Sequence, residues 1–362
     1  MNRGPGSVLG SITVGAVIIS ILTYILSLGV GTFAIVTTQL GRHLLDFSTN
    51  LPIGLFFQVF RIGLRINLLA VVDACIMIFA LCFFAAAIGK GGVLPHLKIV
   101  AAGSWPPKVA NWLIVMPLLG SGLLVIVIIL TIGLSAAGLP SGGLLPTSQA
   151  ELFASLTYAP VLEEMAFRIS IFAPLLWIRI IWNLIRYSDR YATKHLAFLT
   201  AFIVAIFSPD RAKQMAKMNS VWSNGVRGIH WSEWTVLVVS TILFGLAHIL
   251  SGAGWEAGKA ITAGLSGFAL GVVYLVYGAY GNILLHWFFN FYFFVFTLVP
   301  GFGDFFLLLG DLIALFAFAV GVLGIIVGAV TLKRALAARR TNPLYDANQP
   351  GASSEAQELA SL

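Results

Sequence analysis

Two adjacent carboxylates and an arginine, Glu163-Glu164-Met165-Ala166-Phe167-Arg168, interrupt an apolar run long enough to cross a bilayer. Each such side chain at a helix centre costs about 2.5 to 3.5 kcal/mol on insertion scales, so the cluster is expected to face protein or a wet cavity. At about 100° per residue, Glu164 and Arg168 share one helix face and can pair, while Glu163 points elsewhere. One carboxylate can then be held by the arginine and the other left free for proton transfer. Pro160, three residues before Glu163, can kink the helix and open room beside it. The alternative is an ion-paired lock that serves packing alone.

Two further signals lie in other apolar runs. Phe244-Gly245-Leu246-Ala247-His248 leaves a histidine near the end of one run, and His286-Trp287-Phe288-Phe289-Asn290 puts an imidazole and a carboxamide at i,i+4 on one face of another. Taken singly, each reads equally as core packing or as hydrogen bonding between helices. Together the three supply a hydrolytic set. A carboxylate can take a proton from water, a histidine can orient that water or act as acid, and a His/Asn pair can donate to an oxyanion. Neither an activated Ser nor a Cys is required.

The elements that must position these groups are membrane helices. Of 362 residues, 59% are hydrophobic and 10% charged, and the mean hydropathy is +0.96. A water-facing surface could not be covered by so few charges, which excludes an ordinary soluble globule. After Arg3 an apolar run extends to Leu40, too long for a signal-peptide core and read as an uncleaved first span. Seven more runs can cross the hydrocarbon: about 66–88, 109–138, 150–178, 233–250, 258–278, 282–299 and 305–332. The expected fold is an all-α, polytopic bundle of about eight transmembrane helices around a buried polar cavity. The 13-residue run 195–207, flanked by basic segments, is expected to be interfacial or re-entrant.

Basic residues orient the bundle. With both termini inside, Arg3, Lys90, Lys98, Lys108, the eight from Arg179 to Arg227, and Lys333, Arg334, Arg339 and Arg340 are cytoplasmic. Only Arg42, Arg61 and Arg65 fall outside, and the segment from Pro52 to Arg65 is apolar enough to lie at an interface. This asymmetry favours an even number of crossings and cytoplasmic N- and C-termini. The net charge of +7 thus reports topology, and nucleic acid is not an expected partner. The chain divides into N-terminal helices and an interfacial segment (1–108), a core with an insertion around 179–232 (109–332), and a disordered cytoplasmic tail (333–362). Cys75 and Cys82 stack two turns apart on one helix face, too distant for a mutual disulfide.

The motifs E-E-x-x-x-R, F-x-x-x-H and H-x-x-x-N, in that order on separate helices, resemble those of the CPBP family: CAAX prenyl endopeptidases (type II) and bacteriocin-processing, or Abi, proteins. The resemblance covers roughly 150–299. It implies an eight-helix, glutamate-dependent intramembrane endopeptidase. Glu163 matches the general base that activates water, and Glu164 and Arg168 its supporting residues. His248 matches the histidine that positions the water, and His286 with Asn290 the oxyanion-stabilising pair. Membrane lipid surrounds such an enzyme, and its partner is a peptide or protein, lipidated at a C-terminal Cys in the eukaryotic branch. The membrane is the cell membrane, or that of the endoplasmic reticulum in a eukaryote. No cofactor is expected, with one alternative: Glu163, His248 and His286 as a His₂-carboxylate zinc site.

Other readings fit less well. Gly264-Leu265-Ser266-Gly267 resembles the G-x-S-G of rhomboid proteases, but there the oxyanion helix precedes the serine, and these glycines read better as close helix packing. Gly301-Phe302-Gly303-Asp304 resembles the G-x-G-D of presenilin-type proteases, yet the second aspartate and the downstream P-A-L are missing, so a tight turn is expected. A non-catalytic immunity or scaffold protein of the same fold would not need all three motifs. A transporter would show inverted repeats and broken helix pairs. Asp73 and Asp311 receive no role.

Overall fold

The computed structural model describes residues 5–104, 109–143, 145, 148–186, 194–298 and 303–341. Lipid offers no partner to a backbone N–H or C=O, so apolar runs satisfy themselves as helices. The chain begins with α1 (Pro5–Thr37) and α2 (Gln39–Asp46), and then forms a hairpin, β1 (Ser48–Leu55) and β2 (Gln58–Asn67). There follow α3 (Leu68–Ile88), α4 (Val93–Ala101), α5 (Trp112–Ala136) and α6 (Gln149–Glu164). A π-helical turn, Met165–Ile169, joins α6 to α7 (Ser170–Arg186). Next come α8 (Lys194–Phe207), α9 (Pro209–Met215), α10 (Val221–Asn224), α11 (Trp231–Leu250), α12 (Ala257–Tyr277) and α13 (Ala279–Trp287). A second π-turn, Phe288–Tyr292, leads to α14 (Phe294–Leu298), and α15 (Gly303–Thr341) ends the described chain.

Eight helical stretches are long and apolar enough to cross a membrane, from Val8–Thr37 to Asp304–Arg334. The protein is an all-α, multi-pass integral membrane protein, as its hydropathy predicts. With 14 residues, α8 is not among the eight. One expected boundary is corrected: α15 runs on through Thr341 and does not give way to a tail at 333. Alanine and arginine are strong helix formers, and basic residues in the last turns complement the helix dipole. Residues 342–362, the rest of the expected tail, lie outside the described residues.

The segment expected at an interface, Pro52 to Arg65, forms most of the hairpin. Leu55 pairs with Gln58, leaving Phe56 (φ 46°) and Phe57 (φ 66°) as the turn. Two positive φ values define the hairpin turn that matches strand twist, a conformation normally given to Asn and Gly and costing bulky residues on the order of 1 kcal/mol or more each. Contacts with the first motif hold it. The Phe57 N–H donates to the Ala166 carbonyl (2.9 Å), and the Phe56 N–H to Ser170 Oγ (2.9 Å). Gly54 lies so close to α6 that a Cβ there would stand 2.0 Å from the Leu162 carbonyl oxygen.

The α13–α14 span sits at the centre. Trp287, fully buried, meets Tyr24 of α1 edge-on (centroids 5.6 Å) and tilts against Phe79 of α3 (6.3 Å). One buried cluster therefore continues from the N-terminal helices into the core. Within 179–232, Arg179 (2.8 Å) and Lys213 (2.9 Å) both donate to Glu233, which fastens α7 and α9 to the start of α11.

Candidate active site

Glu164 and Glu163, one residue apart, meet opposite environments, as the 100° offset predicts. The Glu164 side chain is fully buried and accepts from three directions. Arg168 Nη1 donates to Oε1 (3.0 Å), His286 Nδ1 donates to the same oxygen (2.7 Å), and Asn282 Nδ2 donates to Oε2. A buried charge persists only when its partner and remaining lone pairs are satisfied. Arg168, equally buried, also donates from Nη2 to the Gly267 carbonyl (3.0 Å) and lies 4.2 Å from the Phe244 ring centroid.

Glu163 instead faces a cavity of about 630 Å³ that is also lined by His248, His286 and Asn290. Its side chain is 29% exposed, and Oε2 is enclosed yet accepts no hydrogen bond from the protein. His286 Nε2 lies 3.6 Å from that oxygen. The His286 ring is thus held between the two glutamates. Its Nδ1–H is committed to Glu164, so Nε2 accepts when the ring is neutral and donates when it is charged.

His248 donates from Nδ1 to the Phe244 carbonyl (2.9 Å), which leaves Nε2 as the acceptor of a neutral ring. Its ring packs edge-on against Phe244, with centroids 4.9 Å apart. Asn290 is half-buried, and among the described residues its side chain makes no hydrogen bond. Both π-turns fall on motif residues, the first holding Arg168 and the second Asn290. Such turns concentrate at functional sites because they re-aim side chains and expose a carbonyl. The Ala166 carbonyl meets the hairpin tip, and the Phe167 carbonyl accepts from Ser240 Oγ (2.7 Å).

The structure brings all six candidate site residues together. Sequence reasoning missed Asn282, which lies four residues before His286 and shares its stripe. Lys259, within the expected 258–278 span, lines the cavity as well. Of the less favoured motifs, Ser266 lines the cavity but donates to the Thr262 carbonyl (3.1 Å). Gly267 and Gly271 are packing residues, since a Cβ would stand 2.8 Å from Phe244 and 2.3 Å from Leu237. Gly301 and Phe302 lie outside the described residues, so the expected turn there does too. Asp73 and Asp311 are exposed on their helices and do not line the cavity. Among the described residues, no three His, Cys, Asp or Glu side chains cluster as a metal site would require.

Eight helices apolar and long enough to cross a membrane define a multi-pass membrane protein, and residues of several of them line a partly polar cavity. Residues 145–292, about two fifths of the chain, match the family model described as Rce1-like, type II CAAX prenyl endopeptidase Rce1-like. The matched stretch contains all three motifs, from Glu163 to Asn290. No curated protein and no solved structure matches the chain. The match supports, in general terms, a CAAX-type intramembrane protease, a class of hydrolase that acts on a peptide or protein.

Proposed function

We propose that the protein is a glutamate-dependent intramembrane endopeptidase in which Glu163 activates the attacking water. The observation that carries this reading is the division of labour between the two glutamates. Glu164 is saturated by Arg168, His286 and Asn282, whereas Glu163 offers an unpaired carboxylate oxygen beside the cavity. Glu163 takes a proton from water while the hydroxide oxygen attacks the peptide carbonyl. His248 Nε2 accepts the water's second O–H and fixes its direction. The developing oxyanion accepts from Asn290 Nδ2 and from His286 Nε2–H, the ring being charged at that step and its charge stabilised by Glu164. Collapse of the tetrahedral intermediate breaks the C–N bond, and the Glu163 proton passes to the leaving amine.

The cycle uses no cofactor. Glu163, His248 and His286 are the ligands a zinc-dependent version would employ. The substrate class follows the family: a peptide lipidated at a C-terminal Cys, with the lipid left in the bilayer and the chain end in the cavity. By the basic-residue rule both termini are cytoplasmic, in the cell membrane or that of the endoplasmic reticulum.

Purified protein in detergent is given a lipidated C-a-a-X peptide and its unlipidated twin, with Glu163→Ala and chelator arms. Cleavage lost in Glu163→Ala and kept with chelator is the expected result. Loss with chelator supports the zinc version, and undiminished cleavage by Glu163→Ala overturns the reading.

A further inference from the structure

Three cations inside this protein have carboxylate partners: Arg168 has Glu164, and Arg179 and Lys213 share Glu233. Lys90 sits over the Trp222 ring at 4.9 Å and does not line the cavity. Lys259 is different. It is the Lys or Arg that lines the cavity, its ammonium lies 4.2 Å from the Trp255 ring centroid, and among the described residues it forms no ion pair. Glu163 is the acid whose field reaches it, from beyond ion-pair distance. A half-buried ammonium beside an aromatic face still lacks an anion. The wall around it is largely apolar, with Phe57, Val59, Leu156, Phe289 and Phe294 among its residues. An apolar lining with one unmatched positive charge suits a short aliphatic segment ending in a single negative charge.

Helix geometry gives the spacing. α7 and α12 run parallel, because Arg168 meets Gly267 and, further along both chains, Phe172 meets Tyr274. Lys259 precedes Gly267 by about 12 Å of helix rise and Glu163 precedes Arg168 by about 7 Å. Lys259 is therefore displaced towards the N-terminal end of α12, and its side chain leans the same way. With the lateral distance between helices, its ammonium stands on the order of 10 Å from Glu163, about the reach of three extended residues.

We propose that Lys259 is a specificity-determining residue whose ammonium pairs with the free α-carboxylate of the bound peptide. This rests on the proteolytic reading above for the identity of the ligand. The pair sets how far from the chain end Glu163 meets a peptide bond, so blocked or extended chain ends bind poorly.

Fluorescently labelled C-a-a-X peptide, as free acid and as C-terminal amide, is titrated in neutral detergent against Glu163→Gln protein, where binding needs no turnover. The acid binds about tenfold to a hundredfold more tightly, the span of one charge-assisted hydrogen bond. Adding Lys259→Met reduces the preference to about twofold or less, and Lys259→Arg restores much of it. Equal binding of acid and amide overturns the proposal. So does a Lys259→Met variant that weakens both peptides alike, or a preference that disappears with Arg61→Met on the hairpin instead. A lipid phosphate is the other source of such an anion: competition by added anionic phospholipid with no preference between acid and amide would assign Lys259 to lipid and overturn the peptide role. If the acid preference holds but wild-type protein cuts neither peptide, Lys259 keeps its role and the protease reading fails.

Discussion

His286 donates from Nδ1 to Glu164 at 2.7 Å, and this bond decides which edge of the imidazole faces Glu163. The first acid of the pair is thereby presented with an oriented ring nitrogen, while the second orients that ring. Glu164 is the sealed, fully bonded carboxylate and Glu163 the one that faces the cavity with an unbonded oxygen, and the two separate experimentally.

Glu163→Gln and Glu163→Ala should each lower peptide cleavage by about a thousandfold or more while membrane insertion and thermal unfolding in detergent stay close to wild type. His248→Ala should likewise abolish turnover. Chromatographic quantitation of released product is the measurement, and turnover within a few-fold of wild type in either position removes that residue from the mechanism.

Glu164→Gln should instead destabilise the fold, because it strands the buried Arg168 guanidinium. Breaking one side of such a pair costs about 3 to 5 kcal/mol. Unfolding followed by intrinsic tryptophan fluorescence should shift to lower temperature, well below Glu163→Gln. Equal melting temperatures for the two variants would contradict the assignment of Glu164 as the sealed partner.

Asn290→Ala should reduce kcat by about tenfold to a thousandfold, the range for loss of one oxyanion donor, with a smaller change in KM. A change confined to KM would mean that Asn290 contacts substrate without stabilising the transition state.

The cavity lining includes Phe57 at the hairpin tip and Ser251, Ala253 and Trp255 after α11. Cytoplasmic termini put this end of the bundle on the opposite face, so a cysteine introduced at Ser251 should react with an impermeant maleimide added to intact cells. For protein in the cell membrane, labelling only after permeabilisation would invert the orientation, and would present the cavity to cytoplasmic chain ends.

Much of this molecule was legible in one dimension. Hydrophobic runs specify helices without reference to anything distant, because in lipid a backbone can bond only within its own segment, and eight spans appeared close to the expected bounds. The offset between Glu163 and Glu164 was equally local, since it follows from helical pitch. Convergence was not. That Asn282 closes the shell around Glu164, that strained Phe56 and Phe57 dock on the first motif, and that Lys259 shares a cavity with Glu163 depend on contacts between helices far apart in sequence. No periodicity encodes these contacts. A polar residue in an apolar run announces that it needs a partner, and only the packing of the helices decides which partner it meets.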